Sequence, residues 1–153
     1  MKNIWVTASN EEEKPWGKET AWSTSGGGHI SGKILYLKKD CRNSLKYSLI
    51  KEETLHIMSG ELLLTFSDEK FKEHEMWKSR ICKPGDTIHV QSGCPYRIKA
   101  LEDSTIIEIG SRIHNTATVR FHDDYGRHSS TDEFKVYQQA ELVEKSMMPD
   151  KDN

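Results

Sequence analysis

Gly85-Asp86-Thr87-Ile88-His89-Val90-Gln91-Ser92-Gly93-Cys94-Pro95-Tyr96-Arg97-Ile98-Lys99-Ala100 decides the fold of this chain. Two short runs, Asp86–Val90 and Tyr96–Ala100, are apolar or alternating, and turn signals bound each: Pro84-Gly85, Ser92-Gly93 and Glu102-Asp103-Ser104. A period of two over about five residues, stopped by glycine or proline, is how a half-buried strand reads. The pattern extends outward through Lys33–Lys38, Ser44–Leu49, Thr54–Met58, Glu61–Phe66 and Arg80–Cys82 on one side, and Thr105–Gly110 and Thr118–His122 on the other. The charged Ser67–Lys78 reads as a hairpin extension. No helical run separates these strands, so an antiparallel sandwich or barrel is favoured over a parallel sheet.

The flanks read differently. Residues 1–32 are expected to form an N-terminal arm and loop, with a polar run at 8–14, Pro15-Trp16-Gly17 as punctuation, and a Ser/Gly-rich turn from Ser23 to Gly28. The barrel is placed at 33–128. Residues 129–153 are expected to form a tail with helical signals: Ser130-Thr131-Asp132-Glu133 offers a capping box, and Phe134, Tyr137 and Glu141/Leu142 follow at helix-like spacing. These signals predict a short helix over Glu133–Lys145 and a frayed end from Met147.

A length of 153 residues suits one domain. Lys and Arg number 22 and Asp and Glu 24, a net charge of −2, which argues against nucleic-acid binding through overall electrostatics. No apolar run approaches the roughly 18 residues that span a bilayer, so no membrane partner is expected. Met1-Lys2-Asn3-Ile4-Trp5 lacks the apolar core of a secretory signal, and Cys41, Cys82 and Cys94 show no CxxC spacing. A reduced, cytoplasmic protein is the expectation.

A second glycine-punctuated block runs from Asp40-Cys41-Arg42-Asn43-Ser44-Leu45-Lys46-Tyr47-Ser48 through Leu49-Ile50-Lys51-Glu52-Glu53 to Gly60. With the Gly85–Ala100 stretch it resembles the two motifs of the cupin superfamily. Lys46 and Ser48 fall on the two histidine positions of the first motif, Glu53 on its glutamate and Gly60 on its closing glycine, while Asp40 stands for the opening glycine. Gly85 and Gly93 match the second motif; Gln91, Tyr96 and Ala100 replace its proline, histidine and asparagine. Lys14-Pro15-Trp16-Gly17-Lys18-Glu19, Lys33–Lys38, Ser44-Leu45, Lys51–Thr54 and Asp123–Arg127 narrow the likeness to the cupin domain of type II phosphomannose (mannose-6-phosphate) isomerases, over roughly Lys14–Arg127. The resemblance implies an all-β double-stranded β-helix, the jelly roll of the cupins, with a short C-terminal helical tail, and a homodimer.

The resemblance also implies a metal held by two histidines, the glutamate and a third histidine. Here those positions read Lys46, Ser48, Glu53 and Tyr96. An ammonium has no acceptor for a cation and repels it, so neither the family metal nor another cofactor is expected. The chain's seven histidines do not rebuild the site. In the motif frame Glu53, Leu55 and Ile57 point inward and His56 outward; Ile88 and Val90 point inward and His89 outward. His29, His74, His114, His122 and His128 fall in loops or at strand ends.

Without metal, Lys46 and Glu53 are expected to form a salt bridge in its place. Lys46, Ser48, Glu53 and Tyr96 would line a polar pocket of sugar size, for a phosphosugar, nucleotide sugar or similar polyol. Two alternatives stay open. One is an active isomerase or epimerase with Glu53 as base and Lys46 or Tyr96 stabilising an oxyanion. The other is a structural or partner-binding protein whose pocket the ion pair plugs. Parity sends Arg97 outward, to a rim or interface. Cys94 reads as an inert turn thiol and Trp16 as cover for a barrel mouth, with Trp5 and Trp22 doing likewise or packing. Gly26-Gly27-Gly28 makes a weak phosphate loop, and Asp123–Arg127 is either a charged turn or a lid.

Overall fold

Three inward rows of the observed barrel, Leu37-Leu35-Lys33, Ile57-Leu55-Glu53 and Ile106-Glu108, run from apolar to charged residues, and that gradient positions the site. The computed structural model describes residues 3–22, 29–70, 76–111, 118–126 and 134–148. Its strands are β1 (Asn10–Lys14), β2 (Gly17–Ala21), β3 (Ile30–Leu37), β4 (Leu45–Ser48), β5 (Glu53–Ser59), β6 (Leu62–Ser67), β7 (Trp77–Cys82), β8 (Thr87–Val90), β9 (Tyr96–Ala100), β10 (Ser104–Ser111) and β11 (Thr118–His122), followed by helix α1 (Phe134–Ser146). All pairings are antiparallel and form a six-stranded sheet, β1-β2-β3-β10-β5-β8, and a five-stranded sheet, β11-β4-β9-β6-β7.

The sheets enclose Leu35, Leu37, Leu55, Ile57, Ile88 and Ile106 from one side and Leu62, Leu64, Tyr96, Ile98 and Ala100 from the other. Each of these strands alternates, so its opposite residues face away. Turns need glycine where the chain enters the left-handed region: Gly60 has φ 90°, and a Cβ there would lie 2.1 Å from Ser104 Oγ. Asp40, in the place of the motif's opening glycine, adopts φ 68°, a conformation aspartate tolerates better than most residues.

Two expectations need correction. Residues 10–21 are not a loose arm: β1 and β2 form a hairpin whose second strand pairs with β3 from Gly17↔Leu37 to Ala21↔Lys33. Charged pairs link its two strands, such as Lys18 Nζ to Glu11 Oε1 at 3.3 Å, so it carries no apolar alternation to read. Gly17 lets it lie flush on β3, since a Cβ there would meet Tyr36 O at 1.8 Å.

The helix is present, over Phe134–Ser146 rather than Glu133–Lys145. Leu142 is exposed, while Ala140, Val143 and buried Glu144 face the five-stranded sheet. There Leu45, Trp77 and Phe121 form a second apolar cluster on the sheet's outer side. The capping box Ser130–Glu133 and the side chains of Phe134 and Tyr137 lie outside the described residues, as do Gly26-Gly27-Gly28, His74, His114 and His128. No helix among the described residues is long and apolar enough to cross a membrane.

Candidate functional site

At one end of the barrel the inward positions turn from leucine and isoleucine to ionisable groups. Lys33 continues the row of Leu35 and Leu37 on β3, Glu108 follows Ile106 on β10, and Glu53 precedes Leu55 and Ile57 on β5. Lys46 and Tyr96 face each other across β4 and β9 as register partners. The resulting cavity of about 290 Å³ is lined by all four sequence-predicted residues, Lys46, Ser48, Glu53 and Tyr96, together with Lys33, Lys51, Glu108 and Arg120.

The expected Lys46–Glu53 bridge is not what holds Glu53. Lys51 Nζ lies 2.9 Å from Glu53 Oε2, and the Tyr96 hydroxyl donates a short hydrogen bond to Glu53 Oε1. Lys51 also lies 3.5 Å from Glu108 Oε2, which Lys33 approaches at 3.6 Å. Burial alone would raise the Glu53 carboxyl, but the Lys51 charge, the Tyr96 hydrogen bond and the Lys46 charge overcome it and hold it at about 2. Glu108 moves upward instead, through burial and the nearby Glu53 charge. Tyr96 is pushed well up by burial and the same carboxylate, so it stays a neutral donor.

Lys46 has no hydrogen bond or ion pair among the described residues. Burial lowers its pKa; Glu108 and Glu53 offset this in part, and Lys33 and Arg120 add to it. Lys51, five positions on, shifts upward: burial lowers it, but its contacts with Glu108 and Glu53 prevail. One cavity therefore holds an ion-paired lysine and a lysine with no described partner.

Lys51 sits in the turn between β4 and β5, and two local features aim it inward. The Ser48 hydroxyl accepts the backbone N–H of Lys51 at 2.9 Å, which fixes the turn. Gly110 opens the path, since a Cβ there would lie 2.9 Å from Lys51 Cε and 2.8 Å from Glu52 O. Ser48 lines the cavity, but its observed hydrogen bonds are to this turn.

Elsewhere, His56 and His89 face out and bond across strands to Thr87 and Thr54, at 2.9 and 3.1 Å. Arg97 does point away from the cavity, but it is neither rim nor free interface. It is 1 % exposed beneath α1, where it donates to Glu141 at 3.0 Å, to His122 Nδ1 at 2.7 Å and to Asn43 O at 3.0 Å. Asp124 holds Arg42 through two bonds of 2.6 and 2.7 Å, and buried Asp123 accepts from Ser44 at 3.2 Å, so the described part of Asp123–Arg127 is a pinned charged turn. Trp16 is buried against the cavity, whereas Trp5 and Trp22 are substantially exposed. Burial raises the Cys94 thiol, which is the inert direction.

The donor set does not fit the metal that the cupin resemblance implies. Among the described residues no three His, Cys, Asp or Glu side chains converge closely enough to hold one. The Glu53 carboxylate, the one family ligand retained, is already engaged by an ammonium and a phenol.

With its two facing antiparallel sheets and inward polar site, the chain has the cupin fold. No protein-family profile and no curated protein matches it by sequence. Solved structures do match in three dimensions. KdgF from Halomonas sp. superposes with a TM-score of 0.57 at 13% identity, covering 70% of this chain and 89% of that one. An RmlC-like cupin from Shewanella frigidimarina gives 0.56 at 10%, covering 71% and 87%. Oxalate decarboxylase from Lactobacillus farciminis gives 0.64 at 16%, covering 94% of this chain but 43% of its own. At these identities the likeness is one of fold.

Proposed function

We propose that this chain is a metal-free small-molecule-binding cupin whose barrel takes a hydroxylated, anionic ligand such as a phosphosugar or nucleotide sugar, in keeping with its sequence resemblance to type II phosphomannose isomerases. The observation that carries this reading is Lys46: its amine opens on the cavity with no described partner, while the neighbouring cation Lys51 is taken up by Glu53 and Glu108. An unpaired, desolvated cation is unfavourable unless an anion completes it. Glu53 and Glu108 offer acceptors for hydroxyls, and the Tyr96 oxygen, whose proton goes to Glu53, offers a further one. The protein named capsular polysaccharide assembling protein CapF, from Staphylococcus aureus, shares the fold over 74% of this chain, although this chain covers 32% of CapF. That likeness is compatible with carbohydrate chemistry without specifying it.

The isomerase alternative is less well supported. A carboxylate held at about 2 is a weak base, so Glu53 is poorly suited to removing a carbon-bound proton at neutral pH.

Thermal-shift measurements with mannose 6-phosphate, UDP-glucose and uncharged mannose test the proposal. The anionic ligands are expected to raise the melting temperature, mannose is not, and Lys46→Met is expected to remove the effect. No shift with any anionic sugar, or an undiminished shift in Lys46→Met, overturns it. Elemental analysis finding a stoichiometric transition metal lost in Glu53→Gln would overturn the metal-free part.

A further inference from the structure

Two of the lysines that line the cavity are in opposite electrostatic states. Lys51 is ion-paired to Glu53 at 2.9 Å and to Glu108 at 3.5 Å, which fixes it as an ammonium and occupies its hydrogens. Lys46 lines the same cavity and has no hydrogen bond or ion pair among the described residues; burial disfavours its charged form, the Glu108 and Glu53 carboxylates offset this only in part, and the Lys33 and Arg120 cations add to it. A desolvated lysine among other cations loses its proton readily, and the free amine is a nucleophile. Anion binding needs a cation at this position, but a lysine without a fixed partner also permits covalent chemistry.

We infer that Lys46 captures the carbonyl carbon of a small anionic aldehyde or ketone, such as an open-chain sugar phosphate or a 2-oxo acid, as an imine inside the barrel. This rests on the proposed anionic-ligand reading and adds a covalent step to it. The neutral Lys46 amine attacks the carbonyl carbon; a C–N bond forms, and the C=O π pair moves to oxygen, which takes up a proton. The carbinolamine nitrogen loses one proton; the carbinol oxygen gains a second and leaves as water as the nitrogen lone pair forms the C=N bond, which gives the protonated imine, and loss of its remaining N–H proton gives the neutral imine, so amine plus carbonyl give imine plus water. The cavity holds a group suited to these transfers. Glu108, whose carboxyl is shifted upward by burial and the Glu53 charge, faces the same space. Protonation of the imine restores the positive charge at nitrogen, so covalent capture keeps the cation that the ligand's anionic group meets.

The downward shift of Lys46 supports this geometry, because each unit of depression raises the neutral fraction about tenfold. Lys51 is an internal control, with the same cavity but its shift upward.

The test is reductive trapping on the full chain at neutral pH, with limiting ribose 5-phosphate or pyruvate and sodium cyanoborohydride. The reductant delivers hydride to the imine carbon and leaves a stable secondary amine, located by peptide mass spectrometry. Lys46 is expected to be modified about tenfold or more faster than exposed Lys39 and Lys78, with Lys51 unmodified. Lys46→Arg, which keeps the cation, should lose this labelling while leaving the slow background on exposed lysines. Labelling spread over exposed lysines with Lys46 no faster overturns the inference. Glucitol 6-phosphate, an anionic polyol with no carbonyl, separates the two proposals. If it raises the melting temperature but carbonyl ligands never trap on Lys46, imine formation fails and anion binding stands. If neither occurs, both fail.

Discussion

Replacing Glu53 with Gln removes the carboxylate that Lys51 and Tyr96 share, and acid titration measures what that carboxylate contributes. The folded-state pKa of about 2 lies below the ordinary 4.5, a depression of about 2.5 units. At about 1.36 kcal/mol per unit this corresponds to roughly 3 kcal/mol. A lowered folded pKa contributes stability above the unfolded value, and that contribution is lost as pH falls from 4.5 toward 2. At pH 3 about 2 kcal/mol of it is gone. Glu108 runs the other way, and part of its upward shift comes from the Glu53 charge, so Glu53→Gln relaxes that shift and the Glu108 response offsets part of the Glu53 contribution in the comparison. Urea unfolding at pH 6 and pH 3 gives the stability difference between wild type and Glu53→Gln at each pH. That difference should shrink by up to about 2 kcal/mol on acidification, because the variant has no carboxyl to protonate at this position. A difference constant to about 0.5 kcal/mol, or one that grows, refutes the Lys51–Glu53–Tyr96 arrangement as the source of the low pKa.

Other substitutions separate the remaining contributions. Arg97→Met leaves Glu144, whose side chain is 4 % exposed, without part of its cationic shell and should destabilise by about 3–5 kcal/mol, with early loss of hydrogen-exchange protection in α1. Lys46→Met should leave unfolding stability unchanged or raise it, since it removes a desolvated cation without a described partner; a loss above about 1 kcal/mol in urea melts would mean that Lys46 is paired after all. Gly110→Ala should displace Lys51 and raise the Glu53 pKa, readable as a shift of the acid-unfolding midpoint to higher pH. Gly60→Ala should cost more than Gly85→Ala: both have φ near 90°, but a Cβ at Gly60 meets Ser104 Oγ and Asp103 O, whereas one at Gly85 meets nothing within 4 Å.

The barrel was legible because its strands alternate and its turns are marked. Tyr96–Ala100 and Thr118–His122 have the predicted ends, and parity correctly sent His56 and His89 outward. The β1–β2 hairpin was not legible, because it is held by pairing with β3 and by cross-strand charges, and neither produces a hydrophobic period. Arg97 shows a related blindness. Parity gives the face of a strand but not what covers that face, and α1 arrives from about 40 positions away in sequence.

The cavity was half legible for a similar reason. Motif spacing placed Lys46, Ser48, Glu53 and Tyr96 around one cavity, and all four line it. It did not find Lys51, because alternation assigns a direction only within a strand and Lys51 belongs to a turn. Two signals were available: Ser48 three residues before Lys51, which turns the chain, and Gly110 near the end of an otherwise bulky strand, which clears its path. The consequence is chemical as well as geometric. With Lys51 neutralising Glu53, Lys46 is left over, and the charge pattern changes from a closed pair to a closed pair plus an amine open to the cavity. A plugged, purely structural pocket requires Lys46 to be consumed, and among the described residues nothing consumes it.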